Sequence, residues 1–291
     1  MRKFLIALLL ICSFVGCRPS HGDRVVIGSK NFTEQMILGE IIAQQLENHA
    51  HVTVQRRFYL AGTYICQQAL LAGRIDIYPE YTGTALTAIL KQSPQGTPAQ
   101  VRERVASAYE KQFHLFAGEP FGFDDTFAIE IRGDDARRLH LKTISQAATY
   151  TPHWRAGFGY EFMERPDGYH GLVQTYGLKF AEPPRIMDLG LLTRALQDHQ
   201  VDLIAGNATD GLIPALDLFV LEDDRHYFPP YEAVPIVRED ALARHPEIRD
   251  ALAQLAGKIS DDDMRRLNYA VDGQHRDVTQ VVREFLKSKG L

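Results

Sequence analysis

The strongest constraint on the fold is a short pattern that the chain carries twice. In the first copy an Ile-Asp-Ile segment at 75–77 follows a predicted helix and is followed by Tyr81. In the second copy a Val-Asp-Leu segment at 201–203 also follows a predicted helix, and Asn207, like Tyr81, lies five residues after the aspartate. Each segment is predicted to be a short buried strand, with Pro79 ending the first. Because ligands of open α/β sheets bind beyond the carboxyl ends of the strands, two such segments predict two similar lobes around one cleft.

Helices and strands are predicted to alternate along most of the chain. A strand at 25–27 precedes a helix, for which Asn31 and Glu34 resemble a capping box. A strand at 52–54 and a helix at 63–71 come before the first aspartate-containing strand. This order is typical of a parallel sheet with helical crossovers and predicts an α/β fold.

The chain is predicted to pass twice between the lobes. The first passage leads into a strand at 126–131, and the second leads into a returning strand at 233–237. These passages divide the chain into a discontinuous lobe I, residues 24–127 plus 232–291, and a lobe II, residues 128–231. The C-terminal helices are expected to pack on lobe I.

The first 16 residues are predicted to be a secretory signal peptide. Two basic residues precede an apolar run at 4–11, which is too short to span a bilayer. Phe-Val-Gly at 14–16 precedes Cys17 and is similar to the end of a bacterial lipoprotein signal. We expect cleavage before Cys17, lipid on that cysteine, and a polar tether at 17–23. The alternative is a plain signal peptide with an incidental cysteine.

Composition and motifs argue against several classes of function. A net charge of −5 leaves no basic surplus to neutralise nucleic-acid phosphates. Of the three cysteines, Cys12 lies in the signal peptide and Cys17 is the predicted lipid site, so Cys66 is predicted to be a buried, inert thiol with no disulfide. The sequence has no hydrolase, zinc-protease or P-loop motif, and its 11 histidines lack metal-ligand spacing. We therefore expect no catalytic residue, no metal and no cofactor. Acidic turns at 124–125 and 223–224 leave a secreted hydrolase as an alternative.

Aromatic residues recur at the predicted lobe boundary. Tyr81 follows a strand, Phe127 lies at the first passage and Tyr231 lies at the second. Converging ring faces suit a cation that cannot donate hydrogen bonds, such as a quaternary ammonium, and each face contributes roughly 0.5–2 kcal/mol. Lys30, at a helix start, and Arg165, in a loop of the second lobe, are candidates to bind a carboxylate at the other end of such a ligand. Ordinary core packing of the rings and surface exposure of the two cations are the alternatives.

Three segments carry a resemblance to a known family: Ser-Lys-Asn-Phe-Thr-Glu-Gln at 29–35, Tyr-Pro-Glu-Tyr-Thr-Gly-Thr at 78–84 and Ala-Thr-Asp-Gly at 208–211. On these motifs the chain resembles the glycine betaine, carnitine and choline substrate-binding proteins of osmoprotectant ABC transporters over residues 24–288. The resemblance implies a bilobal type II periplasmic-binding-protein fold, in which two α/β lobes joined by two crossing strands close on the ligand.

The resemblance also implies a ligand site. It places Tyr81, Phe127 and Tyr231 in an aromatic cage for a trimethylammonium group. Lys30, Thr84 and Arg165 would hold the carboxylate, and the backbone carbonyl of Asp125 would lie near the cation.

Two positions depart from the family pattern. Phe127 stands where the family often has tyrosine, so the ring face is kept and the hydroxyl is lost. Asn207 stands where a further cage tyrosine is usual, which removes a face and adds an amide that donates and accepts hydrogen bonds. Asn207 is therefore counted as a ligand-binding candidate, and a larger betaine with polar atoms, such as carnitine or ergothioneine, is an alternative ligand.

The sequence thus predicts an exported monomer anchored by lipid on Cys17 in the periplasm or at the cell surface. It would capture a quaternary ammonium or zwitterionic small molecule and deliver it to an ABC permease without covalent chemistry. Binding of an amino acid instead, or a receptor domain that presents its ligand to a sensor, are further alternatives.

Overall fold

The chain forms two five-stranded mixed sheets with helices on both faces, as seen in a computed structural model that describes residues 24–291. The predicted α/β fold with two lobes is confirmed. The predicted signal peptide at 1–16, the lipid site Cys17 and the tether at 17–23 lie outside the described residues. Between residues 24 and 291, no helix is both long and apolar enough to cross a membrane.

The elements fall into three consecutive groups. The first group is β1 (Arg24–Lys30), α1 (Thr33–Gln45), β2 (Thr53–Ala61), α2 (Thr63–Leu71), β3 (Ile77–Tyr81), α3 (Thr82–Thr84), α4 (Pro98–Phe113) and β4 (Leu115–Ala117). The second group is β5 (Phe127–Arg132), α5 (Gly133–Leu139), α6 (Ile144–Ala147), β6 (Ala156–Phe158), α7 (Tyr160–Glu164), α8 (Tyr169–Tyr176), β7 (Arg185–Ile186), α9 (Leu189–Gln197), β8 (Leu203–Asn207), α10 (Leu212–Ala215) and β9 (Leu218–Leu221). The third group is β10 (Ala233–Arg238), α11 (Glu239–Arg244), α12 (Glu247–Ala253), α13 (Asp261–Asp272) and α14 (Val278–Lys289). Short π-helical turns at Leu46–Ala50 and Ala85–Ile89 and a 3₁₀ turn at Thr151–His153 complete the list.

The first sheet has the strand order β2-β1-β3-β10-β4, and its central strands β1, β3 and β10 are buried on both faces. Successive side chains of a strand point to opposite faces, so Val25 and Ile27 of β1 pack into one core while Val26 packs into another. The first core includes apolar residues of α1, α13 and α14, and the second includes residues of α2 and α4. The C-terminal helices therefore pack on lobe I, as predicted.

The second sheet has the order β7-β6-β8-β5-β9 and follows the same plan. In β8, Leu203 and Ala205 pack into one core, and Ile204 packs into the other, against Leu192 and Leu196 of α9. The strands of the first sheet come from 24–117 and 233–238, and those of the second come from 127–221. This distribution supports the proposed division into lobe I, 24–127 plus 232–291, and lobe II, 128–231, except that Phe127, assigned to lobe I, begins β5 of the second sheet.

The aspartate that occurs in both copies of the sequence pattern has the same role in the two sheets. The backbone N–H of Asp76 donates to the carbonyl of Val26 at 2.7 Å, and its Oδ2 accepts from the N–H of Val26 at 2.9 Å. Asp202 makes the same two bonds to Arg155, at 2.7 and 2.9 Å. Each aspartate thus links its strand to the neighbouring parallel strand, and it fixes where Tyr81 and Asn207 emerge from the sheet.

The prediction that Pro79 ends the first aspartate-containing strand is wrong. Strand β3 runs from Ile77 through Pro79 to Tyr81, and Pro79 lies directly opposite Pro235 of antiparallel β10. Proline has no N–H, but alternate opposed pairs in an antiparallel ladder exchange no hydrogen bonds. Two prolines facing each other at such a pair leave the ladder intact.

The capping box predicted for Asn31 and Glu34 is also wrong. Helix α1 begins at Thr33, the residue before it is Phe32, and no side chain caps its N-terminus. Glu34 instead is almost fully buried and is bonded to side chains of distant segments. Its tertiary contacts override the local pattern.

Candidate functional site

All eight residues predicted for the ligand site line one cavity of about 260 Å³ between the two sheets, called here the ligand cavity. They are Lys30, Tyr81, Thr84, Asp125, Phe127, Arg165, Asn207 and Tyr231. The other lining residues are Asn31, Phe32, Gly62, Gly159, Tyr160, Glu161, Phe162, Asp188 and Leu189. Residues of both lobes therefore enclose the same space.

Strand register explains why these residues meet. Tyr81 is the last residue of β3 and pairs with Ala233 at the start of β10, and Tyr231 lies just before that strand. Asn207 is the last residue of β8 and pairs with Phe127 at the start of β5. Both antiparallel pairs thus present their ends to the cleft, which is where an open α/β sheet binds ligands.

Aromatic rings form the apolar wall of the ligand cavity. The ring centroids of Phe127 and Tyr231 are 5.7 Å apart at a steep angle, and Phe162 stands edge-on to Phe127 at 4.8 Å. Phe228 packs behind Phe127 at 5.5 Å. Phe162 lines the cavity as well, although the sequence analysis did not select it. The wall therefore offers ring faces and edges from both lobes.

Arg165 is buried and carries its own counter-ion. Its Nε and Nη2 donate to the two carboxylate oxygens of Asp167 at 2.9 and 2.5 Å, and the Tyr231 hydroxyl donates to the same carboxylate at 2.5 Å. The guanidinium carbon lies 4.9 Å from the Phe127 centroid and 5.8 Å from that of Tyr231. Burial raises the pKa of the Asp167 carboxyl, but the charge and hydrogen bonds of Arg165 outweigh it, and the pKa is lowered overall. Surface exposure, the alternative for Arg165, is wrong.

Lys30 is likewise buried and paired. Its Nζ donates to Oε1 of Glu80 at 2.5 Å and lies 5.0 Å from the centroid of Tyr81. Lys30 is only 2% exposed and Glu80 is fully buried, so this pair also lies away from water. Both cations of the cavity therefore have a carboxylate partner that the sequence analysis did not identify.

A third group of polar residues joins the lobes beneath the cavity. Oδ1 of Asp125 accepts from the backbone N–H and the hydroxyl of Thr209 at 3.2 and 2.8 Å. The Thr209 hydroxyl also contacts Oε2 of Glu34, which accepts from Asn268 at 3.0 Å, and the Tyr81 hydroxyl donates to Oε1 of Glu34 at 2.7 Å. Burial raises the pKa of both Glu34 and Asp125, and their mutual repulsion raises that of Asp125 further. Burial therefore favours the protonated form of each carboxyl.

This carboxyl pair predicts a pH dependence of stability. A carboxyl whose pKa is higher in the folded state stabilises the fold at low pH, and that contribution is lost as the pH rises through the raised pKa. We expect the free energy of unfolding of the wild type to fall as the pH rises above the ordinary glutamate value of 4.5. Because glutamine cannot ionise, Glu34→Gln should flatten this slope, measured by denaturant unfolding at a series of pH values. Glu103→Gln, at an exposed helix position, is the control; a slope shared by all three proteins would contradict the prediction.

A direct contact closes the cleft on the opposite side. Glu161 of α7 accepts from the backbone N–H of Thr63 at 2.5 Å and from its hydroxyl at 3.2 Å. Thr63 begins α2 in the other lobe, so a carboxylate meets the positive end of a helix. Gly62 permits this approach, because a Cβ there would lie 2.2 Å from Oε1 of Glu161. The lobes are thus bonded to each other at the wall of the ligand cavity, which Gly62 and Glu161 both line.

Four of the functional carboxylates could have been suspected from their position in the sequence. Glu34 and Glu80 lie inside the two most specific motifs, Asp167 follows Arg165 by two residues, and Glu161 precedes Arg165 by four. Cys66 is buried, as predicted, and burial raises the pKa of its thiol to about 12. Within residues 24–291 no cluster of His, Cys, Asp and Glu is arranged to hold a metal ion.

Two α/β lobes enclose a cavity that is lined by aromatic rings and by cations with carboxylate partners. This arrangement defines a substrate-binding protein of the type II periplasmic class. The chain belongs to the family of substrate-binding domains of ABC-type glycine betaine transport systems, whose model matches residues 23–288. This membership confirms the resemblance derived from the motifs. It also makes the chain a transport binding protein, so the alternative of a secreted hydrolase is wrong.

Similar proteins cover nearly the whole chain. The carnitine transport binding protein OpuCC of Listeria monocytogenes is 33% identical, over 99% of this chain and 97% of its own length. The ergothioneine transport permease/ergothioneine binding protein EgtU of Helicobacter pylori is 34% identical over 99% of this chain, which spans only 52% of that longer protein. A crystal structure titled as a glycine betaine/carnitine/choline ABC transporter has a TM-score of 0.76 at 33% identity, covering 91% of this chain and 98% of its own.

Proposed function

We propose that the protein captures a quaternary ammonium compound of the glycine betaine, choline or carnitine type in the ligand cavity. The observation that carries the proposal is that Tyr81, Phe127 and Tyr231, three aromatic residues far apart in the sequence, line one cavity. A trimethylammonium group has a diffuse charge and no N–H, so ring faces suit it better than hydrogen-bond acceptors do. The relatives are named for carnitine and ergothioneine, which are trimethylammonium compounds.

The charged groups of the cavity favour binding of the cationic end of a ligand over binding of its carboxylate, because both cations of the cavity are already paired. Arg165 covers one face each of Phe127 and Tyr231, and Lys30 lies over one face of Tyr81, so the trimethylammonium group is expected against the remaining ring surface of these three residues. A ligand carboxylate would share Arg165 with Asp167 and Lys30 with Glu80, which weakens its attraction to either cation. Thr84 would supply a hydroxyl to it, and the carbonyl of Asp125 would lie near the cation.

Closure of the lobes would then hold the ligand in the cavity until it reaches the permease. The contacts between Glu161 and Thr63 and between Glu34 and Thr209 join the lobes, and exclusion of water strengthens the electrostatic contacts inside. We propose that the closed monomer delivers its ligand to an ABC permease, and that lipid on Cys17 holds it in the periplasm or at the cell surface. Another zwitterion, such as ergothioneine or an amino acid, is the second candidate, because Asn207 replaces a ring with an amide.

Titration calorimetry with a ligand panel tests this function. We expect glycine betaine, choline, carnitine or ergothioneine to bind, and an amino acid with a primary amine to bind far more weakly, because its N–H groups lose water without gaining acceptors in a ring-lined cavity. Binding of the primary amine alone would defeat the aromatic cage.

A further inference from the structure

A second cavity adjoins the ligand cavity and shares a wall with it. This side compartment has a volume of about 310 Å³ and also lies between the lobes. Asn31, Phe32, Leu189 and Asn207 line both spaces. Asn207 is the position where the family resemblance implies a further cage tyrosine. A smaller side chain there leaves the ligand cavity bounded by the compartment rather than by a ring.

The side compartment is lined by acids and has no basic side chain on its wall. Among the described residues, Glu34, Asp210 and Asp272 line it, and no lysine or arginine does. Asp210 accepts from the backbone N–H of Leu212 at 2.8 Å, and Asp272 accepts from the hydroxyl of Thr33 at 2.6 Å. Burial raises the pKa of both aspartates. The charge of Asp272 raises the pKa of Asp210 further, whereas His275 partly lowers the pKa of Asp272. Such a wall attracts positive charge and hydrogen-bond donors.

Three buried acceptor atoms at or behind this wall, on Asn268 and Glu130, have no hydrogen-bond partner. Asn268 lines the compartment and is only 4% exposed; its amide nitrogen donates to Glu34 and Thr209, but its Oδ1 accepts nothing. Glu130 is fully buried, and neither of its carboxyl oxygens has a partner. Its Oε1 lies against Gly206, another lining residue, where a Cβ would be 2.2 Å away. Buried acceptors without partners are rare in native proteins and are costly, so a ligand that brings a donor to the Asn268 Oδ1 would satisfy an acceptor that the protein leaves unpaired.

We propose that the side compartment binds the tail of the ligand whose quaternary ammonium occupies the ligand cavity, and that this tail carries a positive charge or N–H donors. The proposal rests on the proposed function, because the ligand cavity must hold the quaternary ammonium end. The amide of Asn207, at the shared wall, lies where the two ends of such a ligand join. A tail that ends in a carboxylate is the wrong chemistry for this compartment, since every ionisable residue that lines it is an acid.

Calorimetry with three matched probes tests the assignment. The probes are trimethylammonium compounds with a three-carbon tail that ends in a methyl, a primary amine or a carboxylate. We expect the amine to bind about ten-fold tighter than the methyl-ended probe. The carboxylate should gain nothing from the side compartment, because only the ligand cavity offers it cations. The charge of the amine should also expel protons from the lining acids, so its binding enthalpy should depend on the ionisation enthalpy of the buffer.

Asp210→Asn provides the matched variant. It should remove the advantage of the amine and leave the methyl-ended probe unchanged, and Asp272→Asn serves as a second variant if Asp210→Asn does not fold. Equal binding of the amine and the methyl-ended probe would overturn the assignment of the side compartment and leave the proposed function intact. If no trimethylammonium probe binds, the proposed function fails and the assignment fails with it.

Discussion

Replacing Asp167 with alanine is expected to lower the free energy of unfolding by about 3–5 kcal/mol, because the change leaves a buried charge without a partner. Arg165 is 5% exposed and gives two hydrogen bonds to Asp167, and the Tyr231 hydroxyl gives a third. The variant removes all three acceptor contacts at once. Urea unfolding, monitored by circular dichroism, measures the effect.

Two further variants distinguish the effect of the charge pair on stability from the effect of side-chain shape. Asp167→Asn keeps the side-chain volume and one acceptor, so its loss should be smaller. Replacing both partners, as Arg165→Met with Asp167→Leu, removes the uncompensated charge and should recover much of the stability lost in the single variant. A single variant within about 1 kcal/mol of the wild type would show that Arg165 finds water or another partner, contrary to its burial here.

The pH gives an independent check on the same pair. The pKa of Asp167 is lowered in the folded protein, so its contribution to stability is present above the ordinary aspartate pKa of 3.8 and is lost as the pH falls through the lowered value. The difference between the wild type and Asp167→Ala should therefore shrink in acid. A difference that stays constant down to the acid limit of the fold would point to lost packing instead of lost charge.

The sequence predicted which residues line the site better than it predicted the charge pairing within it. The repeat of Asp76 and Asp202 marks a bond to a neighbouring strand within each lobe, so a local pattern was sufficient to place Tyr81 and Asn207. Pro79 was misread because its partner, Pro235, comes from a strand that returns from the far side of the second lobe. Local rules for strand ends contain no information about that pairing.

The prediction of a capping box is wrong, and the two ion pairs are not predicted at all, for a common reason. The role of Glu34 is decided by hydroxyl and amide groups of Tyr81, Thr209 and Asn268, which lie in three other segments. Lys30 meets Glu80 only because β1 and β3 lie side by side. A charged residue in a motif can be recognised from the sequence, but whether it is free for a ligand depends on contacts that only the fold determines.

Tyr231→Ala is expected to weaken binding of the quaternary ammonium ligand by about 1–3 kcal/mol, or roughly 5- to 150-fold. The ring lines the ligand cavity beside Phe127, and it also packs in the core of lobe I. Tyr231→Phe keeps the ring and removes only the hydroxyl bond to Asp167, so it should bind nearly as well as the wild type. Calorimetry at a temperature where both variants are folded measures the two affinities.

Loss of packing at Tyr231 could weaken binding indirectly, and Phe121→Ala distinguishes this from loss of the ring face. Phe121 is fully buried in the same core but does not line the cavity. Both alanine variants remove a large buried ring and should lower stability by a similar amount, about 3–5 kcal/mol. Only Tyr231→Ala should also weaken binding, because only that ring faces the ligand. Equal loss of affinity in the two variants would mean that the ring acts through the fold, and an unchanged affinity of Tyr231→Ala would remove it from the site.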